Sequence, residues 1–430
     1  MTTRPLRATN PTIRPLRIAV VAACPFPTLQ GSQVLIRQHA EALAERGHAV
    51  HIVAYHLGLP LLLPTRESGA WSEGARMRLH RIPRMPLYKR LRACPSAGKP
   101  LLDVLLMLTL FTVAARERVD VIHAHHVEGV TAAWPVARAL GKPLVFHVHT
   151  LMEGELPAYF GQPLTRRLAR LVGRWMDGWL PRLADRTIVL SPEARTAFAR
   201  LGTPWERLVH LPAGIEDRPA PAAVSADAVR ARHGLGSGPL VIYTGNLDPY
   251  QGLDDLRRAF VEVRRVVPDA QLVIASHAGP EALRGPASWN AGGLRAVRVR
   301  DFDEVAALLA ASDVAVCPRP ACLGFPIKLL NYMAAGKAIV CAAGSARNIA
   351  HLDNGYVYPD DDAGALADGL IRLLCDPALA ARLGRNALRT AGQLRWSTLA
   401  ASFEELYFDL LETKDAVDAT TGQARPARIT

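Results

Sequence analysis

The sequence predicts an α/β protein built from two doubly wound, Rossmann-like domains. Three observations lead there. Short apolar runs, of the kind buried on both faces of a parallel sheet, alternate with helical-period segments along nearly the whole chain. The alternation runs twice, once to about residue 217 and again from residue 239, across a Pro- and Gly-rich stretch at 219–237. The 430 residues, half of them apolar, suffice for two to three domains with sizeable cores. The 32 glycines and 32 prolines follow no G-x-y period, which excludes a collagen-like or low-complexity chain.

In the first half, 17–22 (Arg-Ile-Ala-Val-Val-Ala) reads as a buried strand, followed by a loop with Pro25, Pro27 and Gly31. Residues 34–46 have helical period, Gly47 ends them, and 48–55 is the next strand, completing a βαβ unit. The apolar run 101–115 contains Asp103 and is too short for a membrane span, so it reads as a buried helix. Strands follow at 120–124, 143–147, 186–190 and 207–211, the last leading into the connection 212–217. In the second half, strands are expected at 239–244, 270–275, 295–300, 313–317 and 337–342. Helices are expected at 254–266, 305–312, 328–335, 362–375, 377–393 and 396–411, with Ser397 as cap of the last.

Charge is one-sided. Residues 1–204 hold 27 Lys and Arg against 13 Asp and Glu, so the net charge of +12 originates in the first half. Such a field suits a polyanionic partner. Residues 164–180 put Leu164, Leu168, Leu171, Val172, Trp175, Met176, Trp179 and Leu180 on one helical stripe, with Arg166, Arg167, Arg170 and Arg174 on the other face. Two readings are open: a surface helix whose stripe enters the core, or an amphipathic helix lying on an anionic bilayer. Nucleic acid is not expected, because zinc-finger spacing and RNP-like aromatic strands are missing. The six cysteines form no C-x-x-C pair and read as free thiols. No metal site is expected: Asp301-Phe-Asp303 resembles D-x-D only superficially, Asp303 reads as a helix cap, and Asp360-Asp-Asp362 reads as a helix start. No signal-peptide pattern precedes the first strand, so a cytoplasmic protein is expected.

The strongest motif is 323–340, Leu-Gly-Phe-Pro-Ile-Lys-Leu-Leu-Asn-Tyr-Met-Ala-Ala-Gly-Lys-Ala-Ile-Val. A Gly-containing turn at a helix start brings backbone N–H groups to a diphosphate, and Lys328 adds a charge-assisted contact. The segment resembles the donor signature of the family 4 glycosyltransferases. Further matches follow in family order: 27–33 (Pro-Thr-Leu-Gln-Gly-Ser-Gln), 47–50 (Gly-His-Ala-Val), 120–126 (Asp-Val-Ile-His-Ala-His-His), 146–150 (Phe-His-Val-His-Thr), 211–216 (Leu-Pro-Ala-Gly-Ile-Glu), 243–247 (Tyr-Thr-Gly-Asn-Leu) and 313–318 (Asp-Val-Ala-Val-Cys-Pro). Together they span about residues 17–411. The resemblance implies a GT-B fold, two Rossmann-like domains facing a cleft. It also implies sugar transfer from an activated donor, with retention, no required metal and no cofactor beyond the nucleotide sugar as substrate.

Carried over residue by residue, the resemblance makes His149 and His126 the candidate catalytic residues, with His123 and His125 further back and structural. Gly31, Gly245, Asn246, Arg319, Gly324, Phe325, Pro326, Lys328 and Asn331 are expected on the donor side. Glu153, Glu155 and Glu216 are candidates on the acceptor side. The chain departs from the family where two glutamates would stand eight residues apart, at Leu323 and Asn331, and where a basic pair would stand, at Asn246 and Gln251. Lys328 and Arg319 are the candidate replacements. The expected organisation is a loose tail at 1–13, an acceptor domain at 14–217, a donor domain at 218–394, a helix at 395–414 packing back on the first domain, and a tail at 415–430. The expected partners are a nucleotide-sugar donor, a glycan or lipid-linked acceptor, and an anionic membrane touched through the four arginines, placing the protein peripherally on an inner membrane face. A non-catalytic GT-B partner of another transferase and a sugar-nucleotide epimerase are the alternative readings.

Overall fold

The computed structural model describes residues 14–28, 31–58, 76–86, 88, 98–216, 225–278, 293–320 and 325–421. The first sheet comprises β1 (Arg17–Ala22), β2 (Ala49–Ala54), β3 (Met77–Arg81), β4 (Val121–His125), β5 (Leu144–His147), β6 (Arg186–Val189) and β7 (Leu208–His210). Its helices are α1 (Gly31–Glu45), α2 (Lys99–Arg116), α3 (His126–Ala139), α4 (Met152–Glu155), α5 (Pro163–Trp179) and α6 (Pro192–Arg200). The second sheet comprises β8 (Leu240–Thr244), β9 (Gln271–Ser276), β10 (Leu294–Arg298), β11 (Val314–Cys317), β12 (Ala338–Ala342) and β13 (Tyr356–Tyr358). Around it lie α7 (Ala226–Arg232), α8 (Leu253–Val266), α9 (Phe302–Ala310), α10 (Ile327–Ala334), α11 (Ala363–Cys375) and α12 (Pro377–Gly392), and α13 (Trp396–Thr421) closes the chain.

Both sheets are parallel, in the orders β3-β2-β1-β4-β5-β6-β7 and β10-β9-β8-β11-β12-β13. Each reverses its winding beside its first strand, between β1 and β4 and between β8 and β11. Ligands of doubly wound sheets bind at such switch points, beyond the C-terminal strand ends. The central strands are buried throughout, which is why they read as near-continuous Val/Ile/Ala runs.

α2 and α3 cover one face of the first sheet, and α1 and α13 cover the other. The linker and the start of α13 are paired: Ile215 N–H donates to the Leu394 carbonyl (2.7 Å) and Trp396 N–H to that of Ile215 (3.0 Å). A Cβ on Gly214 would collide with the Trp396 indole, so the crossing requires glycine there. α13 packs on α1. Buried Glu404 accepts from Arg46 and from His48 Nε2 (2.7 Å), while His48 Nδ1 accepts the Leu16 N–H, which fixes its tautomer.

Several expectations change. β3, β13, α3, α4 and α6 are not among the expected elements; β3 and β13 are short edge strands with weak alternation. The cap of α9 is Asp301, whose carboxylate accepts from Glu304 N–H (2.9 Å), and Asp303 lies inside the helix. Asp362 does cap α11, accepting from Ala365 N–H. α13 starts at Trp396, so Ser397 is in its first turn, and it continues to Thr421 because no Gly or Pro interrupts 412–421. The expected tail at 415–430 is therefore helical in its first part. The 217/218 boundary lies outside the described residues. α2 buries Leu102, Leu106 and Leu110 but exposes Leu101, Val104, Leu108 and Phe111, so it is half-buried rather than buried. Its Asp103 accepts a hydrogen bond from the Tyr55 hydroxyl, which accounts for a carboxylate in an apolar run.

Candidate active site

The two switch points face each other. A Cβ built on Gly31, the first residue of α1, would lie 3.3 Å from Ile327 Cγ1, the first residue of α10. Two helix N-termini from different domains therefore converge on one spot. Each offers the positive end of a helix dipole, and no side chain caps α10. Any larger residue at 31 would press on Ile327 and narrow that gap.

Lys328, in the first turn of α10, is held in place. Its Nζ donates to Gln251 Oε1 (2.9 Å) and stands 3.9 Å from the Tyr243 ring centroid. Gln251 Nε2 donates to Asn246 Oδ1 (2.5 Å), and Asn246 Nδ2 reaches Asp248 (2.7 Å) and the Tyr250 hydroxyl (2.9 Å). Gly245 has φ +134°, and a Cβ there would lie 3.1 Å from Lys328 Nζ. Arg319, past β11, lies over the Tyr250 ring at 4.8 Å. The amides at 246 and 251 thus form a hydrogen-bonded rack that orients Lys328. Asn331 is one turn further along α10 on the same face. Phe325 and Pro326 are buried at the helix entry, and Gly324 and Leu323 lie outside the described residues.

On the other wall, His149 follows β5 and His126 follows β4. Their rings stack at 4.5 Å, and His125 Nδ1 is 3.0 Å from His149 Nε2. His126 adopts φ 64°, a left-handed backbone at the strand-to-helix corner. Burial lowers the pKa of His126 to about 4 and that of His149 well below the ordinary imidazole range, with neighbouring histidines adding to the second shift. Both rings are neutral at pH 7, so His149 hydrogen-bonds to His125 without carrying charge.

α4 brings the acceptor-side carboxylates. Its first N–H groups, from Met152 and Glu153, are capped by Asp177 of α5 (2.9 and 2.8 Å). Glu155 accepts from the Tyr159 hydroxyl (2.9 Å); burial raises its pKa, opposed in part by the Arg319 charge across the cleft. Glu153 turns away toward Arg174 (3.5 Å). Glu216 accepts from Arg37 (3.4 Å) and Gln38 (3.3 Å) of α1. Glu155 is therefore the carboxylate in the cleft, whereas Glu153 and Glu216 brace α5 and the linker.

Residues 29–218 match the family model described as Glycosyltransferase Family 4, and residues 238–376 match that of Glycosyl transferases group 1. A GDP-mannose-dependent alpha-(1-6)-phosphatidylinositol monomannoside mannosyltransferase of Mycolicibacterium smegmatis is 32% identical over 72% of this chain and 84% of its own length. The chain belongs to the family 4 glycosyltransferases. A phosphatidyl-myo-inositol mannosyltransferase of Mycobacterium tuberculosis is 27% identical over 91% of this chain and 96% of that protein. Sucrose-phosphate synthase from Thermosynechococcus elongatus superposes with a TM-score of 0.75 at 21% identity, over 93% of this chain and all of that one, which shows the GT-B fold.

The glycosyltransferase carries one feature that the apolar stripe of α5 did not announce. Ala169, Gly173 and Asp177 are the residues of α5 that face the protein. Gly173 lies so close to the Met152 carbonyl that no side chain fits there. Most of the apolar stripe faces out instead: Leu164, Leu168, Leu171 and Trp175 are 78%, 62%, 65% and 62% exposed, and the Trp175 and Trp179 rings stack at 5.5 Å, while Met176 and Leu180 at its end turn into the core. Arg166, Arg167, Arg170 and Arg174 are exposed beside it. No helix among the described residues is long and apolar enough to cross a membrane. Periodicity located the stripe; only the small residues at i, i+4 and i+8 told which side docks. The amide rack and the tyrosines 243 and 250 escaped the sequence reading because the rack is set by the conformation of one loop and by Lys328, 77 residues from Gln251.

Proposed function

We propose that this glycosyltransferase moves a sugar from a nucleoside-diphosphate donor to a membrane-embedded glycolipid or lipid-linked acceptor, with retention of configuration and without a required metal. The observation that carries the reading is the convergence of the α1 and α10 N-termini beside Lys328. Two dipole ends and one ammonium form an anion site suited to a diphosphate. Gly31 and Gly245 allow backbone approach, Lys328 and Arg319 offset charge growing on the leaving diphosphate, and Asn331 hydrogen-bonds the ribose without charge.

In this reading, neutral His149 hydrogen-bonds the donor sugar, with His126 stacked behind it and His125 holding its Nε2. No protein side chain attacks the sugar. The acceptor hydroxyl passes its proton to a donor phosphate oxygen, and Glu155 orients that hydroxyl. GDP-mannose and phosphatidylinositol lipids are the first substrates to test, because the relatives are named for them. The outward face of α5 seats the enzyme on an anionic bilayer at the inner membrane face, with Leu and Trp side chains inserted and arginines at the headgroups.

The test is thermal unfolding against GDP, UDP and ADP and their sugar conjugates. One nucleotide class at about 100 times its Kd adds roughly 2.7 kcal/mol to the folded state and raises the Tm. No shift with any nucleoside diphosphate overturns the donor assignment.

A further inference from the structure

Behind the cleft lies a second group of histidines, joined to the transfer site through the His125–His149 contact. His39 of α1 and His123 and His125 of β4 are fully buried, and each offers a ring nitrogen within 4.8 Å of those of the other two. The His39 ring lies 4.6 Å from that of His123 and 5.7 Å from that of His125, and the latter two stack at 4.7 Å. Tyr407 of α13, in the same layer as α1, reaches in beside them. Its hydroxyl is 2.6 Å from His123 Nδ1 and 3.2 Å from His39 Nε2.

We propose that His39, His123 and His125 form a structural site for a divalent transition-metal ion of the zinc class, with the Tyr407 oxygen as fourth donor. Tyr407 Oη lies against His123 Nδ1 and His39 Nε2, so these are the nitrogens that face the site. The far nitrogens of two rings are held from outside, as in metal-ligating imidazoles: His147 Nδ1 is 3.2 Å from His123 Nε2, and His149 Nε2 is 3.0 Å from His125 Nδ1. His125 Nε2 has no hydrogen-bond partner although the residue is fully buried. An orphaned buried polar atom costs about 1–3 kcal/mol, so it calls for a ligand.

The donor set of imidazoles and one oxygen suits zinc-class ions. A tetrahedral ion with metal–nitrogen bonds of about 2.0–2.1 Å would draw the nitrogens in by roughly 1 Å. On binding, the Tyr407 hydroxyl forms a bond to the ion and loses its proton to solvent, so the buried net charge falls from +2 to +1. The ion would pin α13 to β4 and α1, away from the Lys328 anion site, and it would reach the transfer site only through His125 and His149.

The experiment measures metal content of the full chain by mass spectrometry after dialysis with Zn2+ or Co2+ and removal of unbound ion, for the wild type, His39→Leu and Tyr407→Phe. Leucine at 39 packs against Phe403 and Trp396, whose rings already touch His39, so the variant keeps its fold, as circular dichroism verifies. The expected result is about one ion per wild-type chain, visible d–d bands of tetrahedral Co2+, and a Tm that falls with chelator. His39→Leu loses the ion and the bands, and Tyr407→Phe binds more weakly with an altered Co2+ spectrum. A wild type that takes up neither ion overturns the proposal. So does His39→Leu binding as much ion as the wild type, which would place the ion on surface histidines.

Discussion

Replacing Lys328 by methionine removes one charge from the anion site while keeping the length of the side chain. Lys328 sits in the first turn of α10, 2.9 Å from Gln251 Oε1 and 3.9 Å from the Tyr243 ring centroid, so its ammonium is oriented before any ligand arrives. A charge-assisted hydrogen bond to a phosphate is worth about 1.5–3 kcal/mol. At about 1.4 kcal/mol per tenfold, Lys328→Met should weaken nucleoside-diphosphate binding by roughly 10- to 100-fold. The loss belongs to the phosphates, so binding of the matching nucleoside should change by less than about twofold, within roughly 0.5 kcal/mol. Titration calorimetry with the nucleoside, its monophosphate and its diphosphate separates these contributions. Equal diphosphate affinity in variant and wild type would refute the placement of the diphosphate at Lys328. Equal losses for nucleoside and diphosphate would refute the charge argument.

Two further outcomes follow from the geometry. Leu171→Glu with Trp175→Glu places two charges on the exposed stripe of α5; flotation with anionic vesicles should lose at least tenfold in partitioning while the Tm moves by less than about 2 °C, because both side chains are more than half exposed. Asp177 has its pKa raised by burial to about 6, above the unfolded value of about 3.9. Its stabilising contribution is therefore complete below about pH 4 and falls as pH rises through 6, so the Tm of the wild type minus that of Asp177→Asn should shrink between pH 4 and 7; a difference constant with pH would contradict the burial of this carboxyl.

Much of the fold was legible because a doubly wound sheet writes itself as alternating apolar runs and helical segments. β1, β4, β8 and β11 were visible for that reason, and with them the two switch points where Gly31, His126, Gly245 and Arg319 stand. β3 and β13 were not, because these short strands are mostly half-exposed and carry weak alternation. The orientation of α5 was invisible to periodicity. Both faces of that helix are regular, and its contact side is a narrow row of Ala169, Gly173 and Asp177 that no hydrophobic scale favours. In the site, residue types were readable but their partners were not: Asn246 and Gln251 looked like the loss of a basic pair, yet they hold Lys328. Among the acceptor-side glutamates, only tertiary contacts separate Glu155 in the cleft from Glu153 and Glu216, which are tied to arginines of α5 and α1. The histidines at 39, 123 and 125 stand on two elements, and their convergence is a property of packing.

The most direct test of the account is transfer itself. The purified chain is incubated with GDP-mannose and vesicles of phosphatidylinositol in an anionic lipid background, and the lipids are read by mass spectrometry, with Lys328→Met and the α5 double variant in parallel. The account predicts a lipid one hexose heavier, formed at least tenfold more slowly by either variant. Product formed equally fast by the wild type and Lys328→Met would contradict the assignment of the site between α1 and α10 as the place where the donor diphosphate is held.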